Sequence, residues 1–212
     1  MTPRPKESTK EKTAKNRQRI LESAIDTFAE GGFDGANMRE IARRAGVNKF
    51  MLYYHFEDKK TLFEQVLNAV TRPLFARLTR AIEEAPDLQT ALGNVFDIYG
   101  DLLASRNGRL RAFMARELAA GAPRIGPILR IKAPEVIKLW EPKLAAYVGR
   151  DDLPYQDVVR TVVSIMSTIV ATFLTEPAME NILDVYGLSV RDPDNRTHVV
   201  GMIMGGVRQR LA

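Results

Sequence analysis

Apolar residues recur three and four positions apart along almost the whole of this 212-residue chain, and no stretch alternates long enough to make a dependable strand. A chain with that periodicity can bury its apolar stripes only by packing helix on helix, so the fold class is all-α. From Lys15 to Glu30 the stripe is Ile20, Leu21, Ala24, Ile25 and Phe28, and Gly31-Gly32 ends it. Further amphipathic stretches run from Leu88 to Ser105, Leu110 to Ala120, Pro134 to Val148, Tyr155 to Thr175 and Pro193 to Leu211. Pro, Gly or Asp punctuates each gap, and the Ala119–Ile131 stretch, with two prolines, is expected to be a flexible connection.

Between residues 37 and 62 the start and stop signals crowd together. Asn37 followed by Glu40 has the spacing of a capping box, in which each side chain satisfies an orphan amide of the first turn. Ile41, Ala42 and Ala45 then share a face, and Gly46 is the residue type that tolerates a left-handed C-terminal cap. Asn48 is placed to cap a short helix through His55, and Asp58 a fourth helix with Leu62, Val66 and Leu67 on one side. Pro73 is expected to kink or end the first section of that helix. A capped helix, a glycine turn and a short helix with basic and aromatic residues form the pattern of a helix-turn-helix, whose second helix enters the major groove of DNA. The organisation expected is a basic flexible tail over residues 1–14, a three-helix head over 15–60 and a larger helical body over 61–212. Ile41, Ala42, Val47, Leu52 and Phe56 are the expected core of the head.

Charge is concentrated at one end. Residues 1–20 carry seven Lys or Arg against Glu7 and Glu11, so this segment holds the whole formal charge of +5. A basic segment leading into the first helix suits a polyanion. With no cysteine, disulfides, thiolate metal sites and cysteine nucleophiles are excluded. The two histidines, His55 and His198, fit no metal or triad spacing, and no glycine-rich phosphate loop is present, so an enzyme is the weaker reading and neither metal nor cofactor is expected. No apolar stretch follows the N-terminal charges, and the Thr161–Leu174 run falls short of the roughly 20 residues a bilayer span needs, so a cytoplasmic location without membrane contact is expected.

The segment Arg19–Leu62, with Ile20-Leu21, Ala24, Phe28, Gly32-Phe33, Ile41-Ala42, Ala45-Gly46-Val47, Leu52-Tyr53-Tyr54-His55-Phe56 and Lys59, closely resembles the DNA-binding domain of the tetracycline-repressor (TetR) family. The resemblance covers about a third of the chain; beyond it only length and helical character are shared. It implies a homodimeric repressor whose two heads bind successive major grooves of a palindromic operator in double-stranded DNA. A small-molecule effector in the body would then release it. The family's DNA-facing positions are here Asn37, Arg39, Asn48, Lys49, Met51, Tyr53, Tyr54, His55 and Lys59. Lys49 is the first choice for a base contact, since an ammonium can donate to guanine O6 and N7. Arg39, Tyr53, His55 and Lys59 suit phosphates, Lys59 also because it sits in the first turn of its helix, whereas Arg43 and Arg44 divide evenly between phosphate ligands and solvated charge. The chain departs from the family at Phe50-Met51, where a small residue followed by Thr or Ser is usual; neither residue can donate to phosphate, and Phe50 suits packing on a thymine methyl or propping the helix outward.

In the body, the Tyr155–Leu174 segment is apolar nearly all round, and Gly201, Gly205 and Gly206 give a smooth strip on the last helix. Val162, Ile165, Ile169, Gly201 and Gly205 are therefore the candidate dimer interface, against an intrachain core as the alternative. Tyr99, Phe113, Met114, Trp140, Tyr147 and Met166 are candidate effector-binding residues, large and mostly apolar, with Arg111, Arg116 and Glu117 as possible polar anchors for a mostly apolar ligand. Two alternatives stand beside this reading, a ligand-independent DNA-binding regulator and, less favoured, an enzyme using the helical body.

Overall fold

The computed structural model describes residues 9–104 and 108–211, and the described residues form helices without strands. In chain order these are α1 (Thr9–Gly35), α2 (Met38–Ala45), α3 (Lys49–His55), α4 (Lys59–Glu83), α5 (Leu88–Ala104), α6 (Arg109–Ala119), α7 (Ile125–Val148), α8 (Tyr155–Leu174), α9 (Glu176–Leu183), a 3-10 turn over Asp184–Tyr186, and α10 (Pro193–Leu211).

The head is assembled by the local signals. The Asn37 side chain accepts from the Arg39 amide at 2.8 Å and that of Asn48 from the Met51 amide at 2.7 Å. Asp58 accepts from the Thr61 amide at 2.6 Å, and Gly46 takes the left-handed φ of 62° that turns α2 into α3. The expected capping box forms only by half: Glu40 gives its carboxylate to Arg43 and Arg44 instead of reaching back to residue 37. Gly32 breaks α1 at φ 66°, and Phe33 beyond it packs edge-on against Phe63, 5.3 Å between centroids.

Residues 1–8 of the expected flexible tail lie outside the described residues, while 9–14 are helical and begin α1. Lys, Glu and Ala are good helix formers, and Glu11 in the first turn complements the helix dipole. The head also extends past residue 60: its core of Ile20, Phe28, Ile41, Leu52 and Phe56 is completed by Leu62, Phe63, Val66 and Leu67 of α4, and then by Leu110 and Phe113 of α6. Leucine or phenylalanine truncation in such a core costs about 2–5 kcal/mol.

The second core, in the body, gathers Ile82 of α4, Leu92 and Phe96 of α5, Trp140 and Leu144 of α7, Val158, Ile165 and Phe173 of α8, and Val200 and Val207 of α10. Two expectations are corrected here. Pro73 neither ends nor interrupts α4, which runs on into the body. The Ala119–Ile131 stretch is mostly ordered helix: after a reversal through Gly121 (φ 85°) and Ala122 (φ 56°), α7 starts at Ile125, nine residues before Pro134, and carries Pro134 and Pro142 inside it. Its start is fixed by the buried Glu117 carboxylate of α6, which accepts from the Arg124 amide at 2.6 Å and the Ile125 amide at 3.1 Å. At 20 residues α8 is long and apolar enough, by length and composition, to cross a membrane, more than its 161–174 run suggested, but Val158, Val162, Ile165, Ile169 and Phe173 are buried inside the body.

Candidate nucleic-acid interface

The inner side of α3 is Leu52, fully buried, with Phe56 just beyond the helix equally sealed. Everything else on this seven-residue helix looks outward or along the surface. Lys49 is exposed, Phe50 is 80% exposed, Tyr54 71% and Tyr53 39%. A helix of this length is held by its cap and its one apolar anchor, so its solvent side is free to take residues that folding does not require.

The nine sequence-predicted residues divide by how much of their chemistry is already used. Asn37 and Asn48 are exposed but spend their side-chain oxygens on capping, which leaves their amide groups outward. Arg39 is exposed and Met51 half-buried. The Lys49 ammonium lies 5.4 Å from the centre of the Tyr53 ring, a cation–π contact that holds the charge over the solvent side of α3. Lys59 donates to the Asp34 carbonyl at 2.9 Å and sits 4.9 Å over Phe33, which ties the start of α4 to the end of α1. His55 is half-buried with its Nε2 enclosed and without a partner; burial, and then the nearby Arg17 charge, push its pKa below the usual 6.5. As it stands the His55 ring is tucked beside Phe56 with Nε2 enclosed, so that nitrogen is not presented for the expected phosphate contact.

The evenly weighed Arg43 and Arg44 are paired. Arg43 donates to both Glu40 oxygens at 2.7 and 2.6 Å, and Arg44 bonds Glu40 at 2.7 Å and both oxygens of Glu30, also at 2.7 Å. Hydrogen bonds from Arg43, then Arg44, hold the Glu40 carboxyl at about 2, so the cluster stays ionised at any physiological pH. Behind α3, Arg17 donates to Gln65 at 2.8 Å and lies 5.5 Å from the Phe56 ring. Phe50, a departure from the family pattern in sequence, is the most exposed of the large apolar side chains among the described residues.

The body residues separate more sharply. Tyr99 and Met114 line one cavity of ≈ 110 Å³ together with Leu74, Phe75, Leu103 and Val170. The other effector candidates are elsewhere: Phe113 sits at the junction of head and body, Trp140 is fully buried in the second core, Tyr147 donates to the Met204 carbonyl at 3.2 Å, and Met166 packs against the outside of that core. The three polar anchors are committed as well, Arg111 to Glu176 at 2.7 Å, Arg116 to the Ala29 carbonyl at 2.7 Å, and Glu117 to the start of α7. Of the dimer candidates, Val162, Ile165 and Ile169 are at most 3% exposed and belong to the intrachain core. An all-round apolar helix does not reveal which side its own chain will cover. Gly201 and Gly205 do face open space, and Met202 between them is exposed.

A short, capped, outward-facing helix with cation and phenol groups, mounted on a separate helical body, defines a helix-turn-helix protein. Residues 20–66, most of the head, match the sequence model of the bacterial regulatory proteins, tetR family. It is 41% identical over 49 residues to the negative regulator of the biofilm operon, IcaR, of Staphylococcus aureus (strain Newman), covering 23% of this chain and 26% of IcaR. To the transcriptional repressor KstR2 of Rhodococcus jostii it is 30% identical over 92 residues, 43% of this chain and 45% of that one. The match thus spans less than half of either curated relative. The whole fold is similar to FadR of Bacillus subtilis, solved in complex with stearoyl-CoA, with a TM-score of 0.63 and 20% identity, covering 89% of this chain and 98% of that one.

Proposed function

We propose that this protein is a sequence-specific DNA-binding transcriptional regulator, a cytoplasmic homodimeric repressor that leaves a palindromic operator when a small, mostly apolar molecule enters its body. The observation that carries the reading is the solvent side of α3, where Lys49, Phe50, Tyr53 and Tyr54 stand exposed on a helix that is fixed from below by Leu52 alone. Exposed phenols and cations beside a capped turn suit the phosphates and base edges of a major groove. IcaR and KstR2, named as a negative regulator and a repressor, support the same reading for the head. The protein acts by binding and not by catalysis.

For the effector, the support is the cavity between α4, α5, α6 and α8. Its lining is almost entirely aliphatic and aromatic, and the Tyr99 hydroxyl is its one uncommitted polar group beside Thr71, which already donates to the Leu67 carbonyl at 2.8 Å. Burial pushes Tyr99 up to about 12, so it meets a ligand as a neutral hydroxyl. An uncharged molecule with a single polar atom suits that lining; since benzene occupies a cavity of about 150 Å³ in another protein, the ≈ 110 Å³ here must widen to admit even a small ring. The acyl chain of the stearoyl-CoA held by FadR is the apolar part of a ligand whose CoA half is anionic, so only that chain is in keeping with this lining.

A genomic binding-site selection with the full-length protein tests the DNA reading. An inverted-repeat motif with half-sites about one helical turn apart is expected; retention of random fragments with no enriched motif would overturn it.

A further inference from the structure

The first turn of α3 presents two donors to base edges, the outward amide group of Asn48, whose oxygen is spent on the Met51 amide, and the Lys49 ammonium over Tyr53, while Met51 is half-buried and donates nothing. The neighbouring Arg43 and Arg44 are held in ion pairs, Arg43 with Glu40 and Arg44 with Glu40 and Glu30. Between those donors the turn also presents the Phe50 ring, 80% exposed. Phe50 is not among the residues of the head core, and among the described residues no aromatic or cation contact engages its ring. Folding therefore gives no reason for phenylalanine here.

The N-terminal part of a recognition helix is the part that reaches base edges. In the major groove those edges present donors and acceptors at every base pair, and one apolar group, the C5-methyl of thymine. A benzene ring desolvates guanine O6 or adenine N6 without replacing the lost hydrogen bond, which costs free energy, whereas against a methyl both surfaces leave water favourably. Wedging between base steps is the habit of apolar side chains in the minor groove, which a helix flanked by Lys49 and two tyrosines does not enter.

We propose that Phe50 is a specificity-determining residue that selects a thymine in each half-site by covering its C5-methyl. The inference rests on the DNA-binding reading above and adds to it the base and the atom recognised.

The test is an exchange of thymine for deoxyuridine, one position at a time, in the operator recovered by selection, with affinity of the full-length protein read by fluorescence anisotropy. Loss of one methyl contact is worth about 4-fold in affinity per half-site, and about 15-fold when both half-sites are changed. The variant Phe50→Ala should bind more weakly, tolerate any base at that position and be indifferent to the deoxyuridine exchange. Because residue 50 is solvent-exposed, its thermal unfolding should match the parent, which separates recognition from folding. A selected operator whose affinity is unchanged by deoxyuridine at every thymine, or a Phe50→Ala protein that keeps the same methyl penalty, overturns the inference alone. Failure to select any motif overturns the DNA-binding reading and this inference together.

Discussion

Lys49 and Glu40 show how differently two exposed charges in one head are employed. The Lys49 ammonium has only the Tyr53 ring for company, at 5.4 Å, a contact worth about 0.5–1 kcal/mol when exposed and easily exchanged for a base edge. Lys49→Ala is expected to relax preference at one operator position, at a cost of ~1–3 kcal/mol if the ammonium spans guanine O6 and N7. A selection that returns an unchanged motif for the variant would remove Lys49 from base readout. Glu40 is bound instead into the Arg43–Arg44–Glu30 cluster, and its folded-state pKa of about 2 lies below the ordinary 4.5. A depressed carboxyl pKa stabilises the fold fully above 4.5 and loses that contribution as pH falls toward 2. The melting temperature of the parent should therefore drop more steeply between pH 4.5 and 2 than that of Glu40→Gln, and parallel acid profiles for the two proteins would show the cluster to be without effect on stability.

At the scale of elements, α7 is fixed from a distance. Its first amides are received by Glu117, seven and eight residues earlier and buried at 4% exposure. Glu117→Ala leaves those amides without a partner and removes two hydrogen bonds to a charged group, so a loss of about 2–4 kcal/mol is expected in chemical denaturation. A change within 0.5 kcal/mol would show that water replaces the carboxylate. This remote cap also explains why the start of α7 is illegible in sequence, where Pro123, Pro127 and the Gly126 between them read as a loop. By contrast the head is legible almost residue by residue, because Asn37, Asn48 and Asp58 accept from amides two or three positions on and the Gly46 amide donates to carbonyls three and four positions back. Its misread cap, the capping box, arises because two guanidiniums compete for Glu40 more strongly than a backbone amide does. Pro73 misleads in the other direction. Local rules end a helix there, yet the apolar face from Leu62 to Val70 belongs to one core and Leu78 with Ile82 to the other, and burial at both ends carries α4 through. The cavity at Tyr99 is invisible to periodicity for a simpler reason: a stripe of large apolar residues describes a filled core and a cavity wall equally well.

For the molecule as a whole, head and body are joined by more than a linker. Arg109 of α6 pairs with Asp26 of α1, Arg116 donates to the Ala29 carbonyl, and the Arg124 guanidinium stacks 3.7 Å from the centre of the Phe33 ring. Ile125, adjacent to that stack, belongs both to the head core and to the wall of the Tyr99 cavity, so a ligand pressing on the wall acts on a residue that the head also holds. Such coupling changes operator affinity only if two heads are bound at once, because one head alone has no spacing to alter. The remaining requirement is a partner copy on the open strip of α10. At Gly201, Gly205 and Gly206 an added Cβ meets nothing within 4 Å, and Gly206 lines a groove together with Ser164, Thr168 and Met202. Gly205→Leu tests the point cleanly. Replacing glycine by leucine inside a helix should raise intrinsic helix stability by up to about 1 kcal/mol, so the variant is expected to melt no lower than the parent as an isolated chain. At the interface, however, four extra carbons stand where two backbones must approach, and overpacking of that kind costs about 1–3 kcal/mol per copy or more. The expected result is a monomer by light scattering at concentrations where the parent is a dimer. Operator affinity should then fall toward that of a single half-site, since the second head no longer binds at the high effective concentration its partner provides. A Gly205→Leu protein of full dimer mass and undiminished operator affinity would place the interface on another face of the body.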